Sequence, residues 1–83
     1  MSESSRPGEI YPGVTVDPAI THGKPVFTGT RVLIAPVLGA LAAGDSVETV
    51  CDAYGLTLEQ VLAGLGYAAS LVAHEHVYLV ANA

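Results

Sequence analysis

The 83-residue chain has no tryptophan, one cysteine, one phenylalanine and only three basic residues. With Cys51 alone, no intramolecular disulfide can form, and this thiol reads as a small buried hydrophobe of a reducing compartment. No lysine or arginine follows Arg31, so residues 32–83 hold no cation except histidine. That absence weighs against a stand-alone nucleic-acid binder, because affinity for DNA scales with the number of phosphates that cations neutralise. Long apolar runs are missing too. The longest, VLIAPVLGALAAG, is shorter than the about 20 residues that span a bilayer, and Pro36 interrupts it. The opening MSESSRPGEIYPG lacks the apolar run of a signal peptide, so the expectation is a cytoplasmic protein with no membrane association.

Catalytic signatures are also wanting. There is no nucleophile–base pair or dinucleotide fingerprint, and GKPVFTGT lacks the spacing of a phosphate-binding P-loop. His74 and His76 stand at i and i+2, which diverge on a helix, whereas helical zinc pairs use i and i+4. A metal site would need a third ligand such as His22 from across the fold. The sequence therefore reads as a non-enzymatic protein with no cofactor and no metal.

What is present is apolar surface. Hydrophobic residues make up 51% of the chain and charged ones 13%, against a usual share of about 25% charged. A domain this small buries only roughly 60–65% of its unfolded surface, so self-association or a protein partner is the economical way to cover the excess. The net charge is -5.

Residues 1–9 read as a disordered polar tail and residues 10–83 as one domain. Between residues 14 and 34, β-branched residues and turn punctuation predict two or three short strands. The period then becomes helical. Pro36 suits a first helical position, Val37, Leu38, Leu41 and Ala42 form a stripe, and Gly44 closes the helix. A second helix is capped by Asp45 or Ser46, buries Val47, Val50, Cys51 and Tyr54, and ends at Gly55. A third opens with the capping box Thr57-x-x-Gln60 and carries Leu58, Val61, Leu62, Leu65, Ala69 and Val72 at helical spacing. Gly64 and Gly66 each cost about 1 kcal/mol in a helix. Close approach of another helix is the expected reason. The three-residue link between the second and third helices is that of a helix-turn-helix, but periodicity alone favours a plain helical hairpin over a nucleic-acid-binding one.

The joint pattern Asp17-Pro18, Gly23-Lys24-Pro25, Gly29-Thr30-Arg31, Gly44-Asp45-Ser46, Tyr54 and Leu56-Thr57 resembles the domain-of-unknown-function family 433, over roughly residues 14–69. The resemblance implies a mostly α fold, with a small N-terminal β-hairpin before a three-helix, winged or homeodomain-like helix-turn-helix domain. It further implies an antitoxin-like role: binding and repressing a nuclease toxin of PIN-type fold, with operator binding beside it. A helix-turn-helix regulator that binds DNA as a homodimer is the alternative.

Two sets of candidate residues follow. Lys24 and Arg31 flank a Gly-rich turn, either as an anion site or with Arg31 tying a loop to a carboxylate such as Asp17. Thr57 and Gln60 open the helix that would meet nucleic acid or a partner, but Asp45, Glu48, Asp52 and Glu59 surround them in sequence. DNA is thus expected to bind weakly or only through a complex, and a basic nuclease-like protein is the favoured partner. The second set, Gly64, Tyr67, Ala68, Leu71, Val72 and Tyr78, is the expected homodimer face, with Tyr67 and Tyr78 about three turns apart.

Overall fold

The computed structural model describes residues 8–74, which form a small antiparallel sheet followed by three helices. Two of the expected strands lie between residues 14 and 34 and a third precedes them, taking Glu9 out of the expected tail: β1 (Glu9–Tyr11), β2 (Val14–Thr15) and β3 (Val26–Phe27) lie side by side in that order. Pro12-Gly13 turns β1 into β2, and Gly13, at φ 89°, adopts the left-handed conformation that the third position of a type II turn demands. Val14 pairs with Phe27 and Thr15 with Val26. One strand face therefore points Val14 and Phe27 into the core, both fully buried. On the other, the hydroxyls of Thr15 and Thr28 share a 2.7 Å hydrogen bond.

Helix α1 (Ile34–Ala42) begins two residues earlier than Pro36 suggests, with Leu33 as its cap. Pro36 costs nothing there because first-turn N–H groups have no intrahelical partner. The helix closes as glycine at residue 44 predicts: the Gly44 N–H donates to the Leu41 carbonyl and the Asp45 N–H to that of Ala40. Of the two candidate caps for α2 (Val47–Tyr54), Ser46 is used, its hydroxyl accepting from the Thr49 N–H at 3.0 Å. Gly55 ends α2 in the left-handed region. In the stripe of α2 only Val50 is fully buried. Val47 and Tyr54 remain 37% exposed, so Tyr54 is not the core residue that its spacing suggests.

The capping box that opens α3 (Leu58–His74) is reciprocal. The Gln60 N–H donates to Thr57 Oγ1 at 3.1 Å, and the Thr57 N–H to Gln60 Oε1 at 2.8 Å. The axes of α2 and α3 bend by 108° across the three residues between them. Among the described residues no single helix is long and apolar enough to cross a membrane.

The core is formed by Val14, Phe27, Ile34, Val37, Val50, Leu56 and Val61, from the sheet and all three helices. Gly64 and Gly66 do mark a close approach, but to the sheet side and not to another helix. A Cβ at Gly64 would lie 2.8 Å from Phe27 Cε1, and one at Gly66 2.6 Å from the Tyr11 hydroxyl. Tyr11 also packs its ring on Tyr67, with centroids 6.1 Å apart and planes tilted by 58°. The middle of α3 thus rests on β1 and β3 through glycine and tyrosine.

Candidate partner-binding surface

The segment before α1 is tightly built. Thr21 and His22 hold positive φ of 52° and 58°, followed by Gly23 at 80°. A β-branched residue in that region is an outlier that its surroundings must enforce. The Thr21 hydroxyl donates to the Ile20 carbonyl at 2.6 Å, and the Lys24 N–H to the Thr21 carbonyl at 3.2 Å. The turn thereby fixes the backbone at Lys24, whose side chain is exposed.

Arg31 follows a second fixed turn. The Thr30 hydroxyl donates to the Phe27 carbonyl at 2.7 Å and accepts from the Val32 N–H at 3.0 Å, with Gly29 at φ 82° between. Arg31 itself is exposed and makes no ion pair among the described residues. Its supposed mate Asp17 is engaged locally, accepting from the Ala19 N–H at 2.9 Å. The expected Arg31–Asp17 tie is absent, and the hydrogen bonds of each loop hold the two turns instead.

Lys24 lines an apolar groove of about 410 Å³ between the start of α1 and the second half of α3, together with Pro25, Leu33, Pro36, Tyr67 and Leu71. Arg31 does not line it, so the two cations do not form one site there. The groove is what sequence reading missed. Its available signal was Pro25 and Pro36, apolar residues without obvious core spacing.

Thr57 and Gln60 have their capping atoms committed to each other, so neither presents those atoms outward as a reader of bases or of a partner. The four acidic side chains Asp45, Glu48, Asp52 and Glu59 are all exposed and give α2 and the start of α3 a negative surface. Among the described residues no cluster of three or more histidine, cysteine or acidic side chains could hold a metal ion; His76 lies outside them.

The expected dimer face is divided by the fold. Gly64 is buried beneath Phe27 and Tyr67 is half-buried against Tyr11, so both serve the monomer. Ala68 and Leu71 line the groove, Val72 is 62% exposed, and Tyr78 lies outside the described residues.

The chain is similar in sequence and fold to known proteins. The model of the family described as "Protein of unknown function (DUF433)" matches residues 14–68. A Mycobacterium tuberculosis protein named "Putative antitoxin VapB45" is 46% identical over 48 residues, which are 58% of this chain and 20% of that protein. The crystal structure of Rv2018 from Mycobacterium tuberculosis superposes with a TM-score of 0.58 at 44% identity, covering 63% of this chain and 24% of that one. The chain thus spans about a fifth to a quarter of the length of these relatives.

Proposed function

The chain belongs to the DUF433 family, and on that premise we propose that it is a cytoplasmic, non-enzymatic, antitoxin-like protein that acts as a homodimer. It binds and neutralises a basic nuclease toxin of PIN-type fold. The observation that carries the reading is the 46% identity to the protein named "Putative antitoxin VapB45", over a stretch the length of most of the described fold. The charge distribution supports it. The exposed carboxylates of Asp45, Glu48, Asp52 and Glu59 suit the cationic approach of an RNA-cutting enzyme. The groove at Lys24 offers an apolar seat for one projecting side chain of that partner.

A second reading has one observation in its favour: two helices at 108° joined by three residues have the proportions of a DNA-binding helix-turn-helix. The same two helices carry no lysine or arginine, which weighs against this reading; under the main one, operator binding needs the toxin to supply cations. Native purification followed by identification of the co-purifying protein tests the main proposal. Stoichiometric loss of that protein's ribonuclease activity on titration is the expected result. Failure to retain any basic protein, with nanomolar binding to its own promoter, would give the function to the second reading.

A further inference from the structure

Helix α3 is apolar on two opposite sides. Gly64 and Tyr67 turn to the sheet, whereas Leu58, Leu62, Leu65 and Val72 are 55%, 53%, 39% and 62% exposed. With Ala69 these residues follow one another at intervals of four, three, four and three. That interval is the 3.5-residue repeat of a helix–helix seam, narrower than the stripe a helix shows to its own core. Residues 60–73 contain no ionisable side chain apart from the half-buried Tyr67 on the opposite side.

We propose that a second copy of this chain covers this face, with the two α3 helices crossing antiparallel about a two-fold axis at Leu65. The inference rests on the homodimer of the proposed function and names the surface that forms it. Charge selects the occupant. A basic toxin is drawn to the carboxylates of α2, while two copies that each carry a net charge of -5 can approach only through an uncharged face. Size selects the orientation. Two leucines, Leu58 and Leu62, lie on one side of Leu65, and the smaller Ala69 and Val72 lie on the other. An antiparallel crossing sets large against small in the four layers on either side of the axis, and Leu65 against its own copy at the axis itself, which keeps the packing close. A parallel one would set alanine against alanine and leave a void.

Light-scattering mass determination of the full chain at micromolar concentration, with circular dichroism on the same samples, tests the proposal. The wild type is expected to be dimeric. Leu65→Glu is expected to weaken the dimer by on the order of a hundredfold while keeping helical content, since Leu65 already reaches water in the monomer. Leu62→Ala is expected to weaken it too, and the swapped pair Leu62→Ala with Ala69→Leu to restore it. A monomeric wild type would remove both this interface and the homodimer. A dimer left intact by Leu65→Glu but lost in Leu71→Glu would keep the homodimer and overturn this face in favour of the groove.

Discussion

The ring of Phe27 lies on the bare backbone of Gly64, so close that a Cβ there would meet Cε1 at 2.8 Å and Cζ at 3.1 Å. Phe27 is fully buried and cannot swing away. Gly64→Ala therefore gains about 1 kcal/mol of helix propensity but overpacks the core at roughly 1–3 kcal/mol. The expected outcome in thermal denaturation is a lower Tm. Gly39, exposed in α1 with nothing within 4 Å of its would-be Cβ, is the control. Gly39→Ala is expected to raise Tm by roughly 4–8 °C, the shift that about 1 kcal/mol gives a domain of this size.

The reciprocal bonds between Thr57 and Gln60 assign these residues to helix initiation. Thr57→Ala is expected to cost about 1 kcal/mol of stability, seen as a lower urea midpoint at unchanged slope. Thr57→Ser keeps the acceptor oxygen and should retain most of that stability. Equal losses in both variants would separate the hydroxyl from the cap.

Arg31 stands free of ion pairs among the described residues, so Arg31→Ala is expected to shift Tm by no more than Lys24→Ala does. Calorimetry of the two variants side by side gives the comparison. A distinctly larger loss for Arg31 would restore the structural tie that the sequence suggests.

The acidic surface makes a kinetic prediction. Replacing Asp45, Glu48 and Asp52 together with lysine is expected to slow association with the proposed basic partner by at least about tenfold at low salt, with a smaller change at high salt. Stopped-flow mixing at several ionic strengths reads this directly. A rate indifferent to both the substitutions and the salt would place the contact elsewhere.

For DNA, the isolated protein is expected to show no sequence-specific affinity tighter than micromolar near physiological salt, where specific binders reach about 10⁻⁸ M. Titration against its own promoter, alone and with the co-purifying protein, is the measurement. Nanomolar binding by the protein alone would contradict the charge argument.

Local signals carried much of this fold into plain view. Ser46, Gly55 and the Thr57–Gln60 box each stand where backbone chemistry at a helix end requires them, and each is used. Inward and outward were harder to tell apart on α3. Leu58, Leu62 and Leu65 look like the core side of a helix by residue type, yet the sheet is met by Gly64 and Gly66, which periodicity does not score as apolar. Both glycines signalled a close neighbour, but only three dimensions reveal that it is Phe27 and Tyr11, about 37 and 55 residues earlier. The groove beside Lys24 escaped for a similar reason, since it joins residues 24–38 to residues 67–71, two stretches far apart in the chain that sequence alone does not bring together.

A helix with apolar groups on two sides has a further effect, on how much protein must be present before any of it lasts. When the outer side is covered only by association, the folded state draws stability from mass action, and Tm climbs with protein concentration. At low abundance, single copies open more often and offer α3 to proteases; at high abundance, pairing hides it. The lifetime of each molecule then depends on how many others surround it.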